Sequence, residues 1–148
     1  MLFPKKVKHR KWHTGRENRK IWNRPETRGI TLSFGSHGLK ATSNARVKSN
    51  AIEAARRAMV RYLGKNGRAW TRVFPDRPFT RKPAEVKMGK GKGDPQGYEC
   101  VVRPGRVIFE VDGVTDAIAH EALRKAGTKL PITTRVVARL RTAAGSVK

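Results

Sequence analysis

The chain has 148 residues and a formal net charge of +23, from 34 Lys and Arg against 11 Asp and Glu. A compact protein with this charge repels itself, so the composition predicts a polyanionic partner, with nucleic acid as the default. No apolar run approaches the roughly 20 residues that span a bilayer, and the N-terminus lacks an apolar signal core. We therefore expect no membrane partner and no secretion. The single Cys100 excludes an internal disulfide and fits a reducing compartment.

Residues 1–28 are predicted to form a basic, extended N-terminal arm. They carry ten Lys or Arg, two acids and no apolar period, so they should order only on a partner. Trp12 and Trp22 lie among these cations and could stack on bases, or could simply pack against the domain. His9 and His13 could share a helix face, but no third ligand is evident and no metal is expected.

Residues 29–141 are predicted to form an α+β domain with two helices on short, mainly antiparallel strands, followed by a flexible tail over 142–148. The helices are expected at 51–63 and 116–126. Asn50 should cap the first, with Glu53 completing a capping box, and Thr115 and Gly127 should begin and end the second. A type II turn is expected at Pro104-Gly105. Strands are expected at 29–34, 39–42, 68–74, 84–88, 98–103, 106–111 and 132–141.

The helices carry apolar stripes at helical spacing, which predicts the faces that enter the core. These stripes are Ile52, Ala55, Met59, Tyr62 and Leu63 in the first helix, and Ile118, Ala119, Ala122, Leu123 and Ala126 in the second. Cys100 lies in an apolar strand pattern and should be a small core residue rather than a reactive thiol. On another face of the first helix Arg57, Arg61 and Lys65 lie four apart, which predicts either a phosphate-facing ridge or merely a solvated face.

Lysines alternate with glycines in the loop Lys87-Met88-Gly89-Lys90-Gly91-Lys92-Gly93. Lysine attracts phosphate, and glycine permits positive φ angles and close backbone approach. The pattern matches neither a P-loop nor a Rossmann fingerprint. It therefore favours contact with a polyanion whose shape must be followed, the alternative being a mobile basic hairpin tip. Residues 1–93 hold 25 basic and 5 acidic residues, so this part of the chain should provide most of the partner surface.

The inventory for catalysis is thin. The acids fall at no spacing typical of paired carboxylates, and the serines lie in no nucleophile-elbow pattern. We expect no enzyme and no cofactor. Two alternatives stay open at this point: a nucleic-acid-binding protein recruited by charge alone, and an RNA-modifying enzyme, which would require a cofactor pocket.

Several stretches, spread in order over nearly the whole chain, resemble the bacterial large-subunit ribosomal proteins of the universal uL-sixteen family. They are Met1-Leu2, Pro4-Lys5, Arg10-Lys11, His13, Gly15-Arg16, Ser33-Phe34-Gly35-Ser36, Gly38-Leu39-Lys40-Ala41, Ile52-Glu53-Ala54-Ala55-Arg56-Arg57-Ala58-Met59, Arg72-Val73-Phe74-Pro75-Asp76, Lys82-Pro83, Met88 to Gly93, Pro104-Gly105 and Lys129-Leu130-Pro131-Ile132. Where the family often carries arginine, this chain has Lys87.

The resemblance implies an α+β fold with a β-hammerhead element and a cytoplasmic location in the large ribosomal subunit. It implies contacts with 23S rRNA near the central protuberance and the peptidyl-transferase region, with neighbouring ribosomal proteins, and with the A-site tRNA, which the protein would help to position. It also implies that the protein joins the subunit late in assembly, that the arm is threaded into rRNA, and that the Gly/Lys-rich loop, 87–97, approaches the tRNA.

From the charge pattern and the resemblance together we expect two sets of contact residues. The expected rRNA-binding residues are Lys5, Lys6, Lys8, Arg10, Lys11, Trp12, His13, Arg16, Lys40, Arg56, Arg57, Arg61, Lys82 and Arg135. The expected tRNA-proximal residues are Lys87, Met88, Gly89, Lys90, Gly91, Lys92 and Gly93.

Overall fold

The computed structural model describes residues 1–13 and 22–139. Within them, two helices and seven strands follow one another as β1 (His37–Ala41), β2 (Ala45–Lys48), α1 (Ser49–Leu63), β3 (Arg68–Thr71), β4 (Arg77–Arg81), β5 (Asp94–Val102), β6 (Val107–Asp112), α2 (Asp116–Gly127) and β7 (Thr134–Ala138). The predicted tail, the end of the last predicted strand and Arg16 lie outside the described residues. In this part of the chain no helix is long and apolar enough to cross a membrane.

The strands form two antiparallel sheets. One has four strands in the order β3-β6-β1-β7, and the other has three in the order β2-β5-β4. Together with the two helices they confirm the predicted α+β class.

The helices cover one face of the four-stranded sheet. Side chains alternate between the faces of a strand, so the paired Leu39 and Phe109 point to the same side. Met59 of α1 and Leu123 of α2 belong to the same buried cluster as these two residues. Burial of each such side chain contributes roughly 1.5–3 kcal/mol. Most of both predicted apolar stripes is buried, but Tyr62 and Ile118 are 40% and 38% exposed, so their predicted core positions were wrong.

The opposite face of this sheet is covered by residues 30–36, where a strand over 29–34 was predicted. That prediction was wrong, because the backbone donors of this segment bind a side chain rather than a neighbouring strand. The N–H groups of Ser33, Phe34 and Gly35 donate to Glu110 Oε2 at 3.1, 2.7 and 2.8 Å. The segment is thereby held as an irregular cover across the middle of the sheet.

Glu110 is fully buried in β6, yet it stays a carboxylate. Burial raises its pKa, but the N–H groups of Gly35, Phe34 and Ser33 and the guanidinium of Arg72 outweigh that effect and hold the pKa below its ordinary value. Arg72 pairs with Glu110 Oε1. A Cβ at Gly35 would lie 2.6 Å from the carbonyl oxygen of Val111, so only glycine allows the cover to approach this closely.

The second sheet corrects another strand prediction. Residues 84–88 were expected to form a strand, but they form a turn and bends, and β4 lies instead at Arg77–Arg81, where no strand was expected. β4 is at the edge of its sheet, and an edge position tolerates the missing N–H of Pro78. The predicted strand over 68–74 ends at Thr71, whereas β5 extends back to Asp94.

The helix boundaries were predicted well, but the cap of the first helix was not. α1 begins at Ser49, its N-cap is Lys48, and no side chain caps it, so the Asn50 cap and the capping box were wrong. Thr115 is the N-cap of α2, as predicted, although its side chain makes no capping hydrogen bond, and α2 ends at Gly127, with Thr128 as its C-cap. The turn at Pro104-Gly105 has the expected positive φ of 97° at Gly105. Cys100 packs against the core, and burial raises its pKa to about 11, as expected of a structural thiol.

We predict that Glu110→Gln lowers the free energy of unfolding by about 3 kcal/mol, near the low end for removing one partner of a buried ion pair. The folded-state pKa of Glu110 lies below its unfolded value, so its contribution is present above pH ~4.3 and is lost as the pH falls through the folded pKa. Urea denaturation at a series of pH values measures both effects.

The matched control is Glu85→Gln, which removes the same charge from an exposed position. It should leave the stability almost unchanged. Equal losses in the two variants would contradict a structural role for the Glu110 carboxylate.

Candidate nucleic-acid interface

The structure brings the N-terminal arm and the Gly/Lys-rich loop together. Lys92 Nζ donates to the carbonyl oxygen of Trp12. Lys11 Nζ lies 3.5 Å from Asp94 Oδ1, at the end of the loop. The two segments that were singled out separately in the sequence therefore form one continuous basic surface.

The first residues of the arm pack against the core, and the described residues that follow them are mostly exposed. Leu2 packs against the hydrophobic core, and Met1 and Leu2 line a groove of about 450 Å³ together with Glu53 and Arg56 of α1. The predicted rRNA-binding residues that follow are all exposed: Lys5, Lys6, Lys8, Arg10, Lys11, Trp12 and His13. Trp12 is 45% exposed, so part of its indole ring stays open to a partner.

The loop has the backbone that its glycines suggested. Gly89, Lys90 and Gly91 have φ angles of 97°, 53° and 90°, three successive residues in a region that L side chains rarely adopt. A Cβ at either glycine would meet nothing within 4 Å, so glycine is needed here for the φ angle and not for lack of space. Lys82 Nζ donates to the Gly89 carbonyl oxygen, which holds the loop in place. Met88 is 94% exposed at this tip.

The predicted ridge on α1 is partly neutralised within the protein. Arg56 and Arg57 both donate to the Glu53 carboxylate, at 2.8 and 3.0 Å. Hydrogen bonds from Arg56 and Arg57 lower the pKa of Glu53 to about 2, so the carboxylate keeps its charge at any physiological pH. Arg57 still exposes 74% of its side chain, and Arg61 and Lys65 are exposed beyond it. The ridge therefore presents one guanidinium group that Glu53 orients, at Arg57, and two further exposed cations, Arg61 and Lys65.

Two predicted rRNA-binding residues that are far apart in sequence become direct neighbours. Lys40 of β1 and Arg135 of β7 are register partners, and both line a groove of about 620 Å³ next to the Pro104-Gly105 turn. Their Cβ atoms should lie about 4.5–5.5 Å apart, and like charges at this position destabilise a sheet. A phosphate between them would relieve the repulsion.

Other cations form ion pairs within the protein, which the sequence did not indicate. The buried Glu99 lies between Arg46 and Arg77, at 3.6 and 3.4 Å, and Arg46 also lies over the ring of Trp22 at 5.6 Å. One of the two arm tryptophans thus packs against the domain. In the described ranges no group of three or more His, Cys, Asp or Glu could hold a metal ion.

The structure also contains an aromatic cluster that was not predicted. The rings of Phe34 and Trp70 stack with centroids 6.1 Å apart, and the guanidinium of Arg72 lies 5.0 Å from the centre of the Phe34 ring. The only available signal was that Trp70 and Arg72 are two residues apart in a strand and so share a face. Nothing in the sequence indicated that Phe34 joins them.

Comparisons with known proteins agree in one family. The family model described as ribosomal protein L16p/L10e matches residues 4–137. The chain is 50% identical over 140 residues to the large ribosomal subunit protein uL16 of Maricaulis maris, and 53% identical over 140 residues to the protein of the same name from Afipia carboxidovorans. Each alignment covers 95% of this chain and 98% of the relative.

We predict opposite effects of Lys40→Gln on stability and on RNA binding. Removing one of two opposed cations should stabilise the free protein by about 0.2–1 kcal/mol. The same change should lower the slope of log K against log salt for rRNA binding by about 0.7–0.9, because one phosphate contact is lost. Lys129→Gln, an exposed lysine outside the proposed surface, should change neither quantity. A stability loss together with an unchanged slope would contradict a phosphate at this pair.

Proposed function

Because the chain belongs to the L16p/L10e family of ribosomal proteins, we propose that it binds 23S rRNA near the central protuberance and the peptidyl-transferase region and helps to position A-site tRNA. As a member of this family it is a structural component of the large ribosomal subunit in the cytoplasm and not an enzyme. Its partners are rRNA and other ribosomal proteins. Joining the subunit late in assembly is part of the same proposal.

The observation that carries the proposal is the continuous basic surface formed by the arm and the loop. Lys92 reaches the Trp12 carbonyl oxygen, and Lys11 reaches the side of the loop at Asp94. Apart from Glu26 and Asp94, the charged residues in the described parts of the arm and the loop are basic. A net charge of +23 needs many phosphates nearby, and folded rRNA supplies them at high density.

The two halves of this surface suit different tasks. The arm, residues 1–28 in the proposed organisation, carries long cations that are exposed in its described part. They would enter crevices between rRNA helices and anchor the protein. The loop has a side-chain-poor backbone with three successive positive φ angles, and Lys82 holds it from within. A loop of fixed shape can follow the surface of a tRNA without adding bulk, so we assign the tRNA contact to residues 87–93.

Charge alone supports a second candidate function, general binding to nucleic acid. The φ angles of the loop argue against it, because recruitment by charge does not require three successive residues at positive φ. Competition binding at constant salt separates the two functions. Duplex DNA should compete poorly against folded 23S rRNA if shape contributes, and equally well if charge is sufficient.

We predict that the protein sediments with large ribosomal subunits in low-salt lysate and leaves them only in a high-salt wash, because many phosphate contacts must be displaced together. Quantitative immunoblots across a sucrose gradient measure this. Free protein at low salt in cells with mature subunits would refute membership of the particle.

We predict that Lys90→Ala combined with Lys92→Ala weakens A-site tRNA binding more than incorporation into the subunit. The salt slope of tRNA binding should fall by about 0.7–0.9 per lysine, while the arm and the sheet still anchor the domain. Filter binding of aminoacyl-tRNA to purified ribosomes and the wash salt that releases the protein measure the two effects.

The matched comparison is Lys5→Ala combined with Lys6→Ala, which removes the same charge from the arm. It should lower the releasing salt and leave tRNA binding nearly unchanged. Equal losses of both properties in both double variants would contradict the division of roles.

A further inference from the structure

The outer face of the four-stranded sheet carries an aromatic cluster that the proposed rRNA and tRNA contacts do not use. Trp70 pairs with Glu110 in the sheet, so it points to the face away from the helices. Arg72 points to the same face, and its N–H still donates to Ile108 O at 2.8 Å. Phe34 lies over both side chains, with its ring 21° from parallel to the indole of Trp70.

Phe34 remains largely exposed although Trp70 and Arg72 both lie against its ring. Its exposed fraction is 57%, and among the described residues only the indole of Trp70 stacks on it. Its position is fixed by the backbone, because the Phe34 N–H donates to Glu110 at 2.7 Å and the neighbouring Gly35 N–H does so at 2.8 Å. An apolar ring held rigidly at the surface loses little conformational entropy when a partner stacks on it.

The space beside this ring has groups that could bind a base edge. A cleft of about 260 Å³, larger than one planar base, is lined by Phe34, Asp112, Asp116 and Arg139, among others. Hydrogen bonds from Ser36 lower the pKa of Asp112, which is therefore ionised and accepts hydrogen bonds. Carboxylates repel phosphate but accept hydrogen bonds from amino and imino groups of bases, while the exposed Arg139 can hold a flanking phosphate.

We propose that Phe34, supported by Trp70 and Arg72, is a stacking platform for one unpaired RNA nucleobase, whose edge lies in the cleft beside Asp112. This inference rests on the proposed function, because it needs RNA as the partner. Unpaired bases of folded RNA stack on aromatic side chains and on arginine planes, and this arrangement offers both in one rigid unit. An apolar protein partner fits less well, because the cleft carries the charges of Asp112, Asp116 and Arg139.

The test compares a single-stranded oligoadenylate with an RNA duplex of the same length, using the full chain. Phe34→Leu keeps an apolar cover over the sheet and removes the aromatic ring. It should weaken oligoadenylate binding by about 5- to 100-fold, the effect of losing one stacked base. The duplex affinity should stay within about twofold, and the salt slope should not change, because no cation is removed. The separate variant Phe34→Trp keeps an aromatic ring and should retain the wild-type affinity for oligoadenylate.

The matched control is Tyr62→Leu. Tyr62 is also an exposed aromatic residue beneath a cation, with Lys125 Nζ 3.7 Å from its ring centre, but it lies on α1, on the other side of the sheet. It should change neither affinity. An unchanged oligoadenylate affinity in Phe34→Leu, or equal losses on both RNAs, would overturn the platform.

A measurement on the unaltered protein keeps the test independent of how the variants fold. Ultraviolet irradiation of assembled large subunits, followed by mass spectrometry, should give a nucleotide adduct on Phe34 or Trp70. If arm peptides carry adducts and the Phe34 and Trp70 peptides are recovered unmodified, the platform is overturned. The proposed function is not affected by that result. Wild-type protein that binds no RNA and joins no subunit would instead refute the proposed function.

Discussion

The buried carboxylate of Glu110 holds together the outer face of the four-stranded sheet, and the other features of that face depend on it. One side chain in β6 binds three successive N–H groups of residues 33–35 and the guanidinium of Arg72. A buried carboxylate is tolerated only when such partners satisfy it. In return, it fixes an irregular segment that has no strand partner and would otherwise leave its backbone donors unpaired.

The same principle organises much of the excess positive charge. Glu53 orients Arg56 and Arg57 on α1, and Glu99 lies between Arg46 and Arg77 in the second sheet. The 11 acids can neutralise only a minority of the 34 basic residues. Glu53, Glu99 and Glu110 thus position arginines, whereas the lysines in the described parts of the arm and the loop stay exposed to a polyanion. Arginine suits the first role because its planar fork binds a carboxylate at two points.

The elements that were predicted correctly are those whose sequence signal lies within the element itself. The helices at Ser49–Leu63 and Asp116–Gly127 were predicted to within two residues, because an apolar stripe of period 3.6 is a property of the segment itself. The segment over 29–34 and the strand at Arg77–Arg81 were misjudged. The first has strand-like composition but gives its donors to Glu110, about 75 residues away, and the second contains Pro78 but lies at a sheet edge.

The sequence by itself determined the net charge, the glycines that allow positive φ in the loop, and the family to which the motifs belong. These are properties of single residues or short segments, so they can be identified without knowledge of the fold. The tertiary structure alone decided which residues meet. It joined Lys92 to Trp12, opposed Lys40 to Arg135, and placed Phe34 on Trp70 and Arg72. Such contacts arise from strand register and from a buried charge acting between distant segments, which no local pattern encodes.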